Sequence, residues 1–337
     1  MRLLQLSFLF VLSSFTASWS EMGHMLTARI AQYKLVDLGL DSDAYIWAIE
    51  NLALLQSTAG EGNYPFVECA GWADKIKVLG VGEFNPWHYV DTPYKSNYSG
   101  PILNDDPYNI TTQLVSIFRT LSSNPMEKPG RGKAILGKSW MIRMGIHFFG
   151  DLHTPHHCNN RYSEQFPKGD DGANAFQVIF KGKKTNLHSV WDSLFNVVPA
   201  LSSPLTESTY FNVTAIAKDL LNRYGSNDHL ADTLNFDQLS DFAAVAAESF
   251  QWAANTSYVG PEYNQPLSDE YIARASEVPL KRIHAGGLRL AKYLSTAYRR
   301  QLQGVHNIQE PDRHTPQEPE APQESVEETP ARGVVRE

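Results

Sequence analysis

The chain has 337 residues, of which 42% are hydrophobic and 20% are charged, and its formal net charge is −8. This acidic balance excludes nucleic-acid binding through a globally basic surface, so any affinity for phosphate must come from bound metal and a few local lysines. Two cysteines are too few for a disulfide scaffold, so the fold must depend on its hydrophobic core. A single Cys69–Cys158 bridge and two buried free thiols are both compatible with the sequence.

Residues 1–18 have the organisation of a signal peptide. Arg2 precedes an apolar run that ends at Leu12, and small polar residues then lead to a cleavage position after Ser18. The apolar run is too short to span a bilayer, which needs about 20 residues. We therefore predict a chain that enters the secretory pathway, has no transmembrane anchor and begins, once mature, at Trp19.

Four Asn-X-Ser/Thr sequons agree with this route. They begin at Asn97, Asn109, Asn212 and Asn255. Sequons in a chain with a signal peptide indicate surface glycans. We therefore predict a glycoprotein that is secreted or lies in the lumen of the secretory pathway.

Between the signal peptide and a disordered tail, the sequence predicts one mainly α domain. Residues 305–337 form the predicted tail, which is acidic, rich in proline and glutamate, and poor in apolar residues. Residues 19–304 form the predicted domain, with one strand at 176–180. The predicted helices span 24–37, 43–56, 66–79, 110–122, 134–152, 186–196, 205–223, 235–256 and 268–303.

The stretch from His147 to His157 contains four histidines and one aspartate in an otherwise apolar segment. On a buried helix, His147 and Asp151 are four residues apart and share one face, with Cβ atoms roughly 5–6 Å apart. Pro155 should end this helix and turn His157 toward a different centre. A lone buried histidine is usually a hydrogen-bonded core residue, but so many polar groups in one apolar segment favour a multivalent cation.

Other segments supply similar residue types. Asp74 lies in WADKIK, His88 and Asp91 lie in NPWHYVDTP, His188 and Asp192 lie in NLHSVWD, and His24 lies in GHMLTARIA. His188 and Asp192 are four residues apart on a helix that Asn186 would cap. Each residue alone also fits a structural role, as a cap, a surface ion pair or an exposed side chain. Together with the central stretch, they indicate a metal centre.

The order of these motifs resembles that of the zinc-dependent class I nucleases. The series in this chain is Trp…GH…WAD…WHYVD…HxxxDxHxPxHxxx…NLHxxWD. This family includes fungal single-strand-specific secreted nucleases, plant bifunctional nucleases and protist 3′-nucleotidase/nucleases. The resemblance covers nearly all of residues 19–304. It implies a helical bundle of the zinc phospholipase C and class I nuclease type, with three zinc ions as cofactors.

Carried over residue by residue, the resemblance implies three sets of ligands. Asp74, His88 and His147 would hold the first zinc, with Asp151 bridging to the second. His24 would hold the second together with Trp19, which would bind through its α-amino nitrogen and its carbonyl oxygen. The third zinc would be held by His157, His188 and Asp192. Nitrogen and oxygen ligands without thiolates fit catalytic zinc. His153 would orient a ligand from behind, and His156 has no assigned role.

The resemblance also implies the reaction and the substrates. A metal-activated water would cleave the P–O3′ bond, giving 5′-phosphorylated products from single-stranded DNA or RNA and dephosphorylating 3′-nucleotides. Besides Asp151, the catalytic and substrate-binding residues would be Tyr89 as a stacking platform and Asp91 and Asn174 as base- or phosphate-positioning groups. Lys77, where many relatives place arginine, would neutralise phosphate as a point charge. No obligate protein partner is implied.

Two other functions are compatible with the motifs. A zinc phospholipase C shares the fold and the three-metal plan, although those relatives usually place glutamate where this chain has Asp192 and lack the WHYVDTP segment. A non-catalytic secreted zinc-binding glycoprotein would fit if a ligand were lost, but each implied position has a suitable residue.

Overall fold

The computed structural model describes residues 19–78, 82–103, 106–123 and 131–304. The predicted signal peptide at 1–18 and the predicted tail at 305–337 lie outside these ranges, so both stay predictions. The described residues between 19 and 304 belong to one compact unit. They are mainly helical, which confirms the predicted fold class.

The elements follow the chain in this order. The α-helices are α1 Glu21–Leu35, α2 Ser42–Ala53, α3 Pro65–Glu68, α4 Trp72–Val78, α5 Ile110–Ser122, α6 Arg131–Leu152, α7 Leu187–Asp192, α8 Glu207–Tyr224, α9 His229–Thr233, α10 Leu239–Trp252, α11 Asp269–Ala275 and α12 Glu277–Gln303. Short 3₁₀ turns lie at Cys69–Gly71, Gly82–His88, Pro155–Cys158 and Leu194–Asn196, and a π turn lies at Ala253–Ser257. The strands are β1 Pro93–Lys95, β2 Asn160–Tyr162, β3 Gln177–Phe180 and β4 Lys183–Asn186.

Most predicted helices are present, but three were wrong as single continuous helices. The prediction at 66–79 combines α3 and α4, which a 3₁₀ turn separates. The prediction at 268–303 combines α11 and α12, which meet at Ser276. The prediction at 186–196 combines α7 with a 3₁₀ turn, because backbone φ is positive there, at 52° for Phe195. Apolar periodicity continues across such breaks, so it does not reveal them.

The core forms around α6, because this helix is buried along its second half. Phe149 of α6 packs against Tyr293 of α12, with ring centroids 4.8 Å apart, and against Phe236 at 5.9 Å. α1 lies against α12 so closely that a Cβ on Gly287 would be 2.5 Å from the Cβ of Ile30. Glycine is therefore required there, and the close packing fixes α1 beside the polar end of α6.

Two small sheets connect the loops around that polar end. β1 pairs with β2 in parallel, and β3 pairs with β4 in antiparallel fashion, so the strand predicted at 176–180 is confirmed as β3. The other strands have three or four residues, which is too short for a period-two pattern to be recognised. Just before β1, the Val90 amide donates to the His157 carbonyl at 2.8 Å. This contact holds the segment after His88 beside the segment that carries His157.

Candidate metal centre and substrate pocket

α6 presents two fully buried polar side chains, His147 and Asp151, near its carboxyl end. Their spacing of four residues places His147 Nε2 3.1 Å from Asp151 Oδ2, as the helical prediction requires. The helix ends at Leu152, and Pro155 begins the next 3₁₀ turn, which carries His157. The predicted change of direction at Pro155 is therefore confirmed.

The first group of ligand-type side chains surrounds the Oδ2 side of Asp151. Asp74 lies in the first turn of α4, and His88 ends the 3₁₀ turn Gly82–His88. His88 Nδ1 is 2.8 Å from Asp151 Oδ2, and His147 Nε2 is 3.5 Å from Asp74 Oδ1. Ligand atoms of His88, His147 and Asp151 all lie within 4.8 Å of one another. These four residues are the set predicted for the first zinc, but Asp74 also offers a ligand atom within 4.8 Å of His24 and His147, so it lies between the first and second groups.

The second group depends on α1. His24 Nε2 is 3.5 Å from Asp151 Oδ1, and the His24 ring stacks on His147 with centroids 3.9 Å apart. A Cβ on Gly150 would lie 2.4 Å from His24 Nδ1, so only glycine leaves space for the ring. Trp19 is buried beside this group, and the next amide, of Ser20, donates to the Asp192 carbonyl at 2.8 Å. The main-chain ligands at Trp19 stay a prediction, because residue 18 lies outside the described ranges.

The third group joins His157 to α7. His157, His188 and Asp192 offer ligand atoms within 4.8 Å of one another, and His188 Nε2 is 3.0 Å from Asp192 Oδ2. Asn186 caps α7 as predicted, since its Oδ1 accepts from the Ser189 amide at 2.7 Å. Asp151 Oδ1 is 3.7 Å from His157 Nδ1. The His157 atom nearest to this carboxylate is the Nδ1 that contacts the His88 carbonyl, so Asp151 lies close to the third group without facing its ligand atoms.

The hydrogen bonds behind the histidines are suited to a metal centre. The Nδ1 atoms of His147, His157 and His188 donate to the carbonyls of Ala70, His88 and Gly172 at 2.6, 2.7 and 2.6 Å. A histidine that donates from Nδ1 presents the lone pair of Nε2 as a ligand.

Several buried ligand-type atoms have no hydrogen-bond partner within the described chain. Three of them are His157 Nε2, Asp151 Oδ1 and Asp192 Oδ1. A buried polar atom left unsatisfied costs about 1–3 kcal/mol, so three in one place would be expensive unless a cation binds there. The donor set therefore fits zinc or a similar divalent cation.

Burial and the nearby carboxylates together set the protonation of the histidines. Burial lowers the pKa of His24 to about 3 and that of His88 to about 4, which keeps both imidazoles neutral and able to bind a metal. Burial also opposes a charge on His147, but the carboxylates of Asp151 and Asp74 outweigh it and raise the pKa to about 10. A cation that binds between these groups must displace that proton.

A pocket opens beside the first and third groups. Its lining consists of His88, Tyr89, Asp91, His156, His157, Asp171, Gly172, Asn174 and His188. Three of the predicted substrate-binding residues, Tyr89, Asp91 and Asn174, therefore lie next to the ligand-type histidines. The fourth, Lys77, does not line the pocket, because its Nζ contacts Asp74 Oδ1 at 2.8 Å. The roles of all four in binding or catalysis stay predictions.

A strained loop between β2 and β3 forms one wall of the pocket. Asp171, Gly172 and Ala173 have φ values of 55°, 54° and 68°, a conformation that costs free energy for non-glycine residues. Asp170 holds the loop, since its Oδ1 accepts from the Ala173 amide at 3.0 Å and its Oδ2 accepts from the Tyr258 hydroxyl at 2.8 Å. The loop in turn presents the Gly172 carbonyl to His188. Sequence reasoning missed Asp170, although GDDG is a turn signal.

The two histidines left over from the predicted ligands have different surroundings. The expectation that His153 orients a ligand was wrong: its Nδ1 bonds the Phe149 carbonyl at 2.7 Å, and its Nε2 lies 3.1 Å from the Arg289 guanidinium. The chain turns just after α6, where the His153 amide donates to the Gly150 carbonyl at 3.1 Å. This turn directs the His153 side chain toward α12 and away from Asp151. His156 lines the pocket, and its Nε2 lies 2.7 Å from the Ser257 hydroxyl.

The cysteines are free thiols, so the suggested bridge is not formed. Cys69 donates to the Phe66 carbonyl at 3.3 Å, and Cys158 donates to the Leu152 carbonyl at 3.4 Å. Burial raises the pKa of Cys158 to about 12, which suppresses the reactive thiolate. Both residues therefore act as small core side chains.

The sequon asparagines differ in accessibility. Asn97, Asn212 and Asn255 are exposed. Asn109 is buried, and its Oδ1 caps α5 by accepting from the Thr111 amide at 3.0 Å. The folded chain therefore presents three of the four predicted sites to solvent, and glycosylation itself stays a prediction. No helix within the described ranges combines the length and apolarity needed to cross a membrane.

Comparison with known proteins identifies the family. A family model described as S1/P1 Nuclease matches residues 19–299. Endonuclease 4 of Arabidopsis thaliana is 26% identical over 294 residues, which cover 83% of this chain and 89% of that protein. Nuclease S1 of Aspergillus oryzae is 24% identical over 293 residues, which cover 84% of this chain and 93% of that protein.

A third relative, Nuclease P1 of Penicillium citrinum, is 20% identical over 245 residues, or 71% of this chain and 79% of its own length. The match includes every element that supplies a ligand-type side chain, from Trp19 to Asp192. This family is metal-dependent, in agreement with the three His/Asp groups. The chain belongs to the S1/P1 nuclease family, as a nuclease hydrolase.

Proposed function

We propose that the protein is a zinc-dependent endonuclease that cleaves single-stranded DNA and RNA to 5′-phosphorylated products and also removes phosphate from 3′-nucleotides. The observation that carries this proposal is the carboxylate of Asp151, whose two oxygens face His88 of the first group and His24 of the second group. Clusters of metals held by such bridging carboxylates are typical of phosphodiester hydrolysis.

Asp74, His88 and His147 would hold the first zinc, and Asp151 would bridge it to the second, which His24 and Trp19 would hold. His157, His188 and Asp192 would hold the third, and their ligand atoms lie within 4.8 Å of one another. Bound zinc would supply Lewis-acid activation of water and stabilise negative charge on the leaving oxygen. The chain's own contribution is to fix the ligands. The carbonyls of Ala70, His88 and Gly172 orient three imidazoles, and burial keeps His24 and His88 neutral.

The pocket supports a preference for single strands. Tyr89 and Asp91 come one and three residues after His88 and line the same pocket, so a base would stack on the ring while the carboxylate accepts a hydrogen bond. A base must leave its stack to enter, which is easier in a single strand than in a duplex. Asn174, with its Nδ2 3.2 Å from His188 Nδ1, would position the phosphate.

The secretory route is part of the proposal. An α-amino ligand at Trp19 exists only after the residues before it are removed, and Trp19 is already buried against α1. A Cβ on Gly23 would lie 2.9 Å from the Trp19 Cβ, so the first turn of α1 is shaped around this tryptophan. Secretion and cleavage would therefore complete the second group.

The test uses purified zinc-loaded protein with a single-stranded oligonucleotide, the matching duplex, a 3′-nucleotide and phosphatidylcholine as separate substrates. We expect 5′-phosphorylated fragments from the single strand, phosphate from the 3′-nucleotide and slower duplex cleavage. Asp151→Asn should lower activity at least a hundredfold and reduce the zinc content, because one carboxylate serves more than one group. Choline phosphate release without oligonucleotide cleavage would instead favour a phospholipase C.

A further inference from the structure

The β3–β4 hairpin carries an uncompensated positive charge. Residues 172–191 contain three lysines and no acidic residue, although the chain as a whole has a net charge of −8. Lys181, Lys183 and Lys184 are exposed. Lys183 and Lys184 make no ion pair with a carboxylate of the described chain. The hairpin is therefore a local cationic feature on an acidic protein.

The hairpin has a fixed shape. Phe180 pairs with Lys183 across a two-residue turn at Lys181 and Gly182, whose φ values are 50° and 76°. Positive φ at both positions is the type I′ geometry that suits the twist of a tight hairpin. Lys181 lies over the Phe180 ring, with Nζ 5.1 Å from the centroid. The lysines therefore extend from a tight hairpin with a defined backbone conformation.

Lys181 and Lys183 form the rim of a surface pocket whose other wall is α7. Ser189 and Asn196 contribute a hydroxyl and an amide to the same pocket. Within the described chain, no carboxylate lines it. Ammonium, hydroxyl and amide groups without a carboxylate form a donor set suited to a phosphodiester and unsuited to a cation.

α7 joins this pocket to the metal centre. His188 and Asp192, which belong to the third group, share one face of α7. Ser189 is the next residue after His188 and lies on the adjacent face, where it lines the lysine pocket. A strand with its scissile phosphate at the third group would therefore cross α7 to reach the lysines. The lysine pocket and the pocket at Tyr89 share no lining residue.

We propose that Lys181, Lys183, Ser189 and Asn196 form a backbone subsite that binds a phosphate of the nucleic-acid strand beyond the scissile position. This inference rests on the proposed single-strand activity and extends it to substrate length. Phosphate contacts position a strand without reading its sequence, so the subsite favours long single strands over short ones.

The experiment compares a Lys181→Ala/Lys183→Ala variant with the wild-type holoenzyme. The substrates are a 20-nucleotide single strand and a dinucleotide. We expect the ratio of kcat/KM for the long over the short substrate to fall about tenfold, through KM. Lys184→Ala/Lys218→Ala removes the same charge and is the matched control, because Lys184 alternates to the other face of β4 and Lys218 lies on α8. Lys181→Arg/Lys183→Arg should restore the ratio.

Binding is measured separately with a hydrolysis-resistant phosphorothioate 20-mer at several salt concentrations. The double alanine variant should bind more weakly and show a salt slope reduced by about 0.7 for each lost phosphate contact. An unchanged length ratio and salt slope, or an equal loss in the control, would overturn the subsite. Wild-type protein that binds through these lysines but cleaves no single strand would overturn the proposed function and leave the subsite supported.

Discussion

Asp151 is the residue on which the centre depends most. Its Oδ2 faces His88 at 2.8 Å and its Oδ1 faces His24 at 3.5 Å, so the two oxygens serve opposite sides. Burial opposes ionisation of this carboxyl, but His147 and His157 outweigh it and hold its pKa well below the usual range. The carboxylate therefore remains ionised at neutral pH.

A glycine controls the second group without supplying a ligand. We predict that Gly150→Ala displaces the His24 ring, because the new Cβ would lie 2.4 Å from His24 Nδ1. The expected result is a loss of at least tenfold in activity, a lower zinc content and a destabilisation of about 1–3 kcal/mol from overpacking. Zinc analysis, activity and thermal unfolding measure these effects.

The matched control is Gly137→Ala on the same helix. A Cβ at Gly137 meets nothing within 4 Å, so this change should stabilise the helix by about 0.5–1 kcal/mol and leave activity intact. Full zinc occupancy and wild-type turnover in Gly150→Ala would show that the packing of His24 on α6 is not needed.

At the scale of elements, α12 connects the outer helices to the core. Asp41 caps α2 by accepting from the Ala44 amide at 3.1 Å, and it also accepts from Ser295 at 2.7 Å and Arg299 at 2.9 Å on α12. Burial opposes ionisation of Asp41, but these hydrogen bonds outweigh it and lower its pKa. A group with a depressed folded-state pKa stabilises the fold above its unfolded pKa and loses that contribution as pH falls.

We therefore predict a pH-dependent effect of Asp41→Asn, which keeps a capping side chain but removes the charge. The variant should be less stable by about 1 kcal/mol at pH 7, and the difference should shrink as the pH falls below about 4. Urea unfolding at pH 7, 5 and 3.5 measures it. Asp43→Asn, an exposed acidic residue in the first turn of α2, is the control. A destabilisation that is constant with pH would contradict the role of the charge.

Sequence predicts some elements better than others, for physical reasons. The bounds of α5 were predicted correctly, because Asn109 caps a strongly amphipathic segment. The break between α3 and α4 was missed, because both sides are apolar and the 3₁₀ turn has no glycine or proline signal at its start. The ligand-type side chains were predicted because histidine and aspartate in apolar segments need a partner. Asp170 was missed, because it holds a loop by accepting from the Ala173 amide and is not itself a ligand-type residue of the centre.

At the scale of the whole molecule, six separate segments must converge on one centre. Ligand-type side chains come from α1, α4, the turn that ends at His88, α6, the turn that carries His157, and α7. The β1–β2 pairing holds the two turns together. The chain order of the motifs predicted this convergence only through the family resemblance, because long-range packing is not encoded in local periodicity. Metal ions bound at this centre would connect all six segments, so metal binding and folding should be coupled.

X-ray anomalous diffraction at the zinc edge, from crystals of the zinc-loaded protein that begins at Trp19, tests the proposed centre most directly. We expect three zinc peaks, one at each predicted set of ligands, with ligand distances of about 2.0–2.2 Å and Asp151 bound to more than one ion. Zinc in only one group, or zinc bound elsewhere while the nine predicted ligands stay unoccupied, would contradict it.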